Sequence, residues 1–467
     1  MSRASGLELA AAAGVDDQTL GLDAAALHAW GRRLRGRVIL PGHDEYDSAR
    51  QVWNRAIDRK PAAIVRCAGE DDVVRTVELA RTHGALLAVR SGGHSQPGHS
   101  VCTGGILLDL GGLDDVRVDM SAHVVSASAG ARVSRLLEVL QPYGVVTTTG
   151  GCPDVGLGGL TLGGGENLLM ARYGAVCDNV ISARLVTADG RVLTVSRDEH
   201  PDLFWAIRGG GGNFGVVTSF EYRVYPLARV LCGQLFFPLK RAREVLRRYR
   251  DLMEGAPDEL QTSGGMISLD DLPMLFLAFC HCGDRPAAEQ FLAWWQAQLK
   301  PIRDNISDKA FAAEFTMPSA PSAGTGAFLP QLSDQVIDDL AECFADPPPL
   351  SMAVWNDYHG AVTRVPSDDA AFPFRYSGFD LFVMAAWEQP GGQQHARSWV
   401  AELETRLRPH TRGVYVNNLE DEGAARVREA YGRSYDRLAE IKARYDPENL
   451  FRLNQNIPPV VRGSGVI

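Results

Sequence analysis

The sequence has no apolar run that approaches the roughly 18 residues a membrane-spanning helix needs. Its first 18 residues make a poor signal peptide, because Glu8 interrupts their apolar stretch and two aspartates follow soon after. We therefore expect a cytoplasmic protein.

Cysteine and positive charge are also scarce. Eight cysteines spaced irregularly along 467 residues argue against a disulfide framework. The Cys-His-Cys stretch at 280–282 has no second ligand pair at zinc spacing, so no metal site is expected. With 57 acidic and 47 basic residues the net charge is −10, which disfavours nucleic acid or an anionic membrane as partner. The expected partner is a small-molecule substrate, and the oligomeric state stays open.

The chain is long enough for two or three domains. Up to about residue 230, strand-like and helix-like segments alternate, such as a strand at 61–67 and a helix at 69–84 that begins with acidic residues. Beyond that point strands alternate with amphipathic helices, such as the one at 285–300, which favours a second domain of sheet and helices. The segment 429–459 predicts a charged helix, an Asp-Pro stop and an irregular tail.

Three loops are rich in glycine. The stretch "RSGGHSQPGHS", at 90–100, places His94 directly after two glycines. Either this turn contains histidine by chance, or something large must come close to the backbone. The loops at 147–169 and 208–217 offer unobstructed backbone N–H groups, which suits a diphosphate. The G-x-G-x-x-G match at 210–215 does not indicate a Rossmann fingerprint, because a strand follows where that motif needs a helix.

Five motifs occur in one order along the chain: "RSGGHS", "GGCPDVGLGGLTLGGG", "RYGAVCDNV", "GGGGNFGVVTSFEYRV" and "YDPENLFRLNQNIPP". Together they resemble the berberine-bridge-enzyme-like oxidases of the vanillyl-alcohol-oxidase flavoprotein superfamily, over about residues 35–460. The resemblance implies an α+β fold with a discontinuous PCMH-type FAD-binding domain of two sub-domains, at 1–230 and 412–467. It also implies a substrate-binding domain at 231–411, an antiparallel sheet backed by helices that lies over the flavin ring.

The resemblance further implies that FAD is held by two covalent bonds. His94 stands where the family joins a histidine to the flavin 8α carbon, and Cys152 where it joins a cysteine to C6. A thiol beside a nest of backbone N–H groups is expected to have a lowered pKa, which would make Cys152 nucleophilic. The other residues assigned to the flavin-binding loops are Arg90, Ser91, Gly92, Gly93, Ser95, Gly98, His99, Gly150, Asp154, Gly158, Gly159, Gly163, Gly164, Tyr173, Asp178, Val180, Gly212, Asn213, Gly215, Val216, Asn454 and Asn456.

Two places depart from the family's pattern. Glu166 and Asn167 make the turn after three glycines bulkier and more polar than the family's small residue would. Asn418 stands where many members carry a catalytic tyrosine, and asparagine cannot act as a general base near neutral pH.

The base, if the reaction needs one, must therefore be another group. The candidate catalytic residues are Tyr173, Tyr415, Asn418, Tyr376 and His359, and Asp357 and Glu388 lie in segments that should also face the flavin. Trp355 and Trp387 are further candidates for the substrate pocket.

The activity implied is that of an FAD-dependent oxidase. A bulky alcohol, sugar or polycyclic natural product of bacterial secondary metabolism would give a hydride to flavin N5, and O2 would accept the electrons and leave as H2O2. Three alternatives stay open. They are a flavin dehydrogenase that avoids oxygen, an oxygenase that uses a flavin-N5-oxide, and a non-catalytic flavin- or ligand-binding protein.

Overall fold

The computed structural model describes residue 21 and residues 24–269, 272–316, 319–389 and 391–460. The segment 1–18, interpreted above as a poor signal peptide, lies outside these described residues. Within them, no helix is both long and apolar enough to cross a bilayer.

The described residues form helices and strands in an irregular alternation. The strands are β1 (Arg37–Ile39), β2 (Ala63–Arg66), β3 (Leu87–Arg90), β4 (Ile106–Asp109), β5 (Val116–Asp119), β6 (Val124–Ser128), β7 (Val145–Val146), β8 (Val180–Val186), β9 (Val192–Ser196), β10 (Val216–Arg223), β11 (Tyr225–Pro226), β12 (Val230–Pro238), β13 (Leu260–Leu269), β14 (Leu272–His281), β15 (Arg303–Asp304), β16 (Ser307–Lys309), β17 (Ser322–Leu329), β18 (Leu350–Tyr358) and β19 (Gly378–Ala386). The α-helices are α1 (Ala24–Gly31), α2 (Tyr46–Ala49), α3 (Glu70–His83), α4 (Val133–Leu140), α5 (Leu157–Gly163), α6 (Met170–Tyr173), α7 (Pro201–Ile207), α8 (Ala242–Met253), α9 (Arg285–Leu299), α10 (Asp334–Cys343), α11 (Ala361–Arg364), α12 (Gly392–Leu407), α13 (Ala424–Tyr431) and α14 (Tyr435–Tyr445).

Two main sheets lie in the N-terminal half of the described residues, together with a short pair of strands, β7 and β11. The first has the order β1-β2-β4-β3, and its strands β2, β4 and β3 run parallel. These three strands are almost continuously apolar because both of their faces are covered. The second sheet has the order β5-β6-β10-β8-β9 and is antiparallel throughout. Strand β3 ends at Arg90, so the first sheet delivers the chain directly into the "RSGGHS" loop.

A third, larger sheet has eight antiparallel strands in the described residues. Its order is β15-β12-β14-β13-β18-β19-β17, and β16 pairs with β12. One face packs on α8, α9, α10 and α12, in a core around Tyr249, Trp295 and Trp355. The predicted α+β class with an antiparallel sheet backed by helices is confirmed. The domain boundaries at 230 and 412 stay a prediction.

The prediction of a single charged helix near the C-terminus is wrong. Two helices, α13 and α14, stand there in place of one, separated by a 3-10 turn over Gly432–Ser434. Gly432 has a φ of 51°, which is not helical and which glycine adopts without strain.

A buried ion pair fixes the irregular tail that follows α14. Lys442 and Asp446 are fully buried and 2.6 Å apart. The Lys442 ammonium also donates to the carbonyl oxygens of Asn213, at 2.7 Å, and Phe451, at 2.8 Å. Asp446 in turn accepts the backbone N–H groups of Leu450 and Phe451. Every donor of the ammonium is thereby used, and the tail is tied to the third glycine-rich loop.

We expect Asp446→Asn to lower the free energy of unfolding by about 3–5 kcal/mol, because it leaves the Lys442 ammonium buried without a counter-charge. Asp436→Asn is the matched control, since Asp436 pairs with Arg428 on the exposed surface, where such a pair contributes at most about 1 kcal/mol. Chemical denaturation of both variants checks this. Equal, small shifts would contradict the role given to the buried pair.

Candidate functional site

A cavity of about 420 Å³ lies where several segments of the chain meet. Its wall is formed by the loop after β3, the glycine-rich loop around α5, the loop at 211–217, residues 415–419 and the C-terminal tail. Strands β18 and β19 of the large sheet cover it, and we call them the roof. This volume is in the range of cavities that bind cofactors and their substrates.

The two glycine-rich loops touch backbone to backbone. A Cβ atom on Gly92 would lie 2.3 Å from the Gly156 nitrogen, and one on Gly156 would lie 2.2 Å from the Gly92 nitrogen. Ser91 connects the loops further, since its hydroxyl donates to the Ala129 carbonyl at 2.6 Å and accepts the Gly158 N–H at 3.3 Å. Only glycine at both positions allows this approach. It brings His94 and Cys152 to the wall of one cavity.

His94 is held in its neutral form. Burial lowers the pKa of its imidazole to about 4. Its ring stacks on Trp53, with ring centres 5.6 Å apart and an interplanar angle of 22°. A neutral imidazole keeps a nitrogen lone pair free, which is the form that can bond to carbon.

The lowered pKa predicted for Cys152 is wrong. Burial, and then the nearby Asp154 carboxylate, raise the pKa of the Cys152 thiol to about 12. Arg132 pairs with Asp154 at 2.9 Å, so the nearest guanidinium is engaged by that carboxylate. The backbone N–H groups of the loop do not outweigh desolvation, and the thiol stays protonated near neutral pH.

The wall fits FAD in two respects. Gly151 and Gly159 line it with open space where a side chain would project, so a flat ring or a diphosphate can lie on the main chain. Several buried polar atoms of the wall also lack a hydrogen-bond partner in the described part of the chain. They are Gln96 Oε1, His99 Nε2, Ser100 Oγ and Asn454 Oδ1. Buried polar groups are normally paired, so these atoms point to a polar ligand.

Charge on the wall is almost entirely negative. Among the described residues that line the cavity, the charged side chains are Glu166 and Asp380, and none is lysine or arginine. A diphosphate here would therefore depend on backbone N–H groups rather than on cations.

Most of the predicted flavin-loop residues come together on this wall. Those that line it are His94, Cys152, Ser91, Gly92, Gly93, Ser95, His99, Gly150, Gly158, Gly159, Gly212, Gly215, Val216 and Asn454. The structure does not bring these to the wall: Arg90, Gly98, Asp154, Gly163, Gly164, Tyr173, Asp178, Val180, Asn213 and Asn456.

Several residues of the second group support the wall from behind. Arg90 pairs with the buried Asp109 at 2.9 Å. Asp178 forms a two-pronged pair with Arg375, at 2.6 and 2.8 Å. The amide of Asn213 joins the third glycine loop to the tail, since its oxygen accepts the Ile457 N–H at 3.0 Å.

The roof presents alternate residues of two paired strands. Asn356 of β18 stands directly opposite Asp380 of β19, and Val354 stands opposite Phe382. All four line the cavity. Trp355 lies on the other face, 1% exposed in the core beneath the helices. Because side chains alternate along a strand, Trp355 and Asp357 share the face that points away from the cavity. The prediction that they line the pocket is therefore wrong.

Two of the candidate catalytic residues line the cavity. They are Tyr415 and Asn418. The Tyr415 hydroxyl accepts hydrogen bonds from the Gly165 N–H, at 2.8 Å, and from the Asn417 amide, at 2.9 Å. The Asn418 amide donates to Asp380 at 2.5 Å.

The other candidates have partners elsewhere, and the structure does not bring them to the wall. Tyr173 stacks on Tyr225, with ring centres 4.2 Å apart. Tyr376 donates its hydroxyl to the Arg412 carbonyl at 3.1 Å. The His359 imidazole bonds to the Asp357 carboxylate. Glu388 and Trp387 also fall outside the wall.

The structure adds residues that the motifs did not indicate. Asp380 lies in the apolar stretch "GFDLFVMAA", and an acid inside a buried strand is a signal that the sequence offered. Glu166 was noted as a departure only, yet it accepts hydrogen bonds from Tyr358 and Asn356 at the roof. Trp53 lies in no motif and carried no signal, whereas Gln96 directly follows "RSGGHS" and its place in that loop was the signal available.

Comparison with known proteins agrees with this geometry. A family model of an FAD binding domain matches residues 61–196, and a model described as "Berberine and berberine like" matches residues 414–458. (R)-6-hydroxynicotine oxidase of Paenarthrobacter nicotinovorans is 31% identical over 453 residues, which cover 91% of this chain and 97% of that one.

Solved structures share the fold. A crystal structure of 6-hydroxy-D-nicotine oxidase from Arthrobacter nicotinovorans has a TM-score of 0.83 at 28% identity, covering 91% of this chain and 98% of that chain. A chitooligosaccharide oxidase has a TM-score of 0.82 at 20% identity, covering 93% and 100%, which bears on the fold alone. The similarity to these proteins covers nearly the whole chain. The two family models include the glycine-rich loops at 90–100 and 147–169 and most of the C-terminal tail. This chain therefore belongs to the berberine-bridge-enzyme-like family and is an FAD-dependent oxidoreductase.

Proposed function

We propose that the protein is an oxidase that carries FAD on two covalent bonds, from His94 and Cys152, and uses O2 as electron acceptor with release of H2O2. Its substrate is a bulky alcohol, sugar or polycyclic natural product of bacterial secondary metabolism. The observation that supports this most directly is the contact of Gly92 with Gly156, which brings a histidine and a cysteine to one cavity wall.

Bound FAD supplies the hydride-accepting chemistry, and the chain supplies position and electrostatics. The two attachment residues differ in how readily they can attack the flavin. His94 is neutral and has a free lone pair, whereas burial keeps the Cys152 thiol protonated and so weakly nucleophilic. We therefore expect the His94 bond to form before the Cys152 bond.

The roof supports a bulky, hydroxylated substrate. Val354 and Phe382 offer apolar surface, while Asn356, Asp380 and Asn417 offer hydrogen-bonding groups beside it. Sugars and polycyclic alcohols combine these two characters in one molecule.

The double attachment is tested by acid precipitation. We expect the flavin to stay in the pellet of the wild type and of either single variant, His94→Ala or Cys152→Ala. It should be released to the supernatant only by the double variant, because one covalent bond suffices to retain it. The absorbance of pellet and supernatant measures this.

Cys282→Ala is the matched control, since Cys282 is a half-buried thiol outside the cavity wall. It should behave as the wild type. Release of flavin from the wild type, or retention by the double variant, would show that the attachment residues are misassigned.

The electron acceptor can be tested without knowing the substrate. Holoenzyme reduced with dithionite under anaerobic conditions should reoxidise rapidly in aerated buffer and yield one H2O2 per flavin. A dehydrogenase would reoxidise slowly, and would prefer an added dye. An oxygenase would be recognised in a separate experiment, once a substrate is turned over, by labelled oxygen in its product.

A further inference from the structure

We propose that Glu166 accepts the proton of the substrate's hydroxyl group, and that Asp380, which shares a proton with it, positions it for that task. The two residues, here called the acid pair, would then replace the tyrosine whose place Asn418 takes. The inference rests on the alcohol or sugar oxidation proposed above.

The acid pair is built into the junction of the glycine loop and the roof. Glu166 accepts hydrogen bonds from the Tyr358 hydroxyl and, at 2.9 Å, from the Asn356 amide. Asp380 Oδ2 accepts the Asn418 amide at 2.5 Å. Both acids are more than nine-tenths buried and both line the cavity.

The two carboxyl groups lie close together at the roof, because Asn356, which stands opposite Asp380 across the paired strands, donates to Glu166. Two carboxylates are acceptors only, so two such buried neighbours can bond to each other only through a shared proton. Asp380 Oδ1 has no hydrogen-bond partner among the described residues, which leaves it free to carry that proton. The pair therefore carries one proton and one negative charge.

The surroundings disfavour that charge, so the pair accepts a proton readily near neutral pH. Burial, and then the neighbouring Glu166, raise the pKa of Asp380 well above its ordinary value, and burial raises the pKa of Glu166 to about 7. The other titratable groups that face the pair are the hydroxyls of Tyr358 and Tyr415, whose pKa values burial raises. Arg375, which interacts electrostatically with Tyr358, forms an ion pair with Asp178. No cation competes with the substrate for Glu166 on the described wall.

Asn418 acquires a role in this arrangement. It donates to Asp380 Oδ2 and so leaves Oδ1, which has no partner among the described residues, free for a shared proton. A second polar group points to a hydroxylated ligand on the same wall. Gln96 Oε1 is buried without a partner, while its amide nitrogen lies 3.9 Å from Met384 Sδ of the roof strand.

The step balances with the oxidant already proposed. The substrate O–H bond breaks and its proton moves to Glu166. The adjacent C–H bond breaks, its hydrogen passes with the electron pair to the bound flavin as hydride, and a C=O bond forms. The alcohol loses two electrons and the flavin gains them. The acid pair, now holding two protons and no charge, returns one to water before the next turnover.

The first test is the rate of flavin bleaching under anaerobic conditions, measured against pH with xylobiose, chitobiose and benzyl alcohol as probes. In the wild type the rate should rise through about pH 7, because Glu166 must be ionised to accept a proton. Glu166→Gln should lower the rate by about 10²–10⁴-fold, the usual contribution of a general base, and abolish the rise.

Glu420→Gln is the matched control. Burial raises the pKa of Glu420 to about 7 as well, but its carboxylate bonds to the Gly324 N–H and lies outside the cavity wall. This variant should keep the wild-type pH profile. A Glu166→Gln enzyme with a wild-type rate and profile would overturn the proposal.

The second test does not depend on turnover. Infrared spectra of the holoenzyme at pH 8 should contain the C=O band of a protonated carboxyl group, and Asp380→Asn should lose it. Absence of the band from the wild type, or its persistence in Asp380→Asn, would show that the pair shares no proton. If the flavin is bound but no probe bleaches it, the proposed alcohol and sugar oxidation fails, while the infrared spectra still decide the state of the acid pair.

Discussion

The contact between Gly92 and Gly156 is the constraint on which the site depends. Main chain meets main chain there, at a separation that no Cβ atom could occupy. The loops of two structural units, one leaving a parallel sheet and one entering α5, are thereby held side by side. Everything placed by either loop then has a fixed position relative to the other, including His94, Cys152 and, further along, Glu166.

The roof adds a second constraint, which is register. Because Asn356 pairs with Asp380 across β18 and β19, one polar pair and one apolar pair face the cavity, while the intervening residues face the helices. Glu166 reaches this roof from the flavin side, so the acid pair joins parts of the chain that are far apart in sequence. A proton shared between them links the position of the roof to that of the glycine loop.

Much of this could be read from the sequence. Glycine spacing around His94 and Cys152 predicted the loops, the alternation of strand-like and helix-like segments predicted a mixed fold, and the family resemblance predicted the later antiparallel sheet. The sequence did not show which residues of β18 face the cavity, because Trp355 and Asp357 look as suitable for a pocket as Asn356. Side chains alternate between the two faces of a strand, so a shift of one residue exchanges the two sets. The pKa of Cys152 was misjudged because burial and Asp154 act through space, not through the motif. Asp380 was missed since its partner is 214 positions away.

The alternation along β18 and β19 also bears on how the family could diversify. Residues that line the cavity alternate along these strands with residues that fill the core around Tyr249 and Trp295. Substitutions at Val354 or Phe382 can therefore reshape the pocket with little effect on how the sheet folds. Recognition and stability are carried by opposite sides of the same two strands, so selection can act on one without disturbing the other.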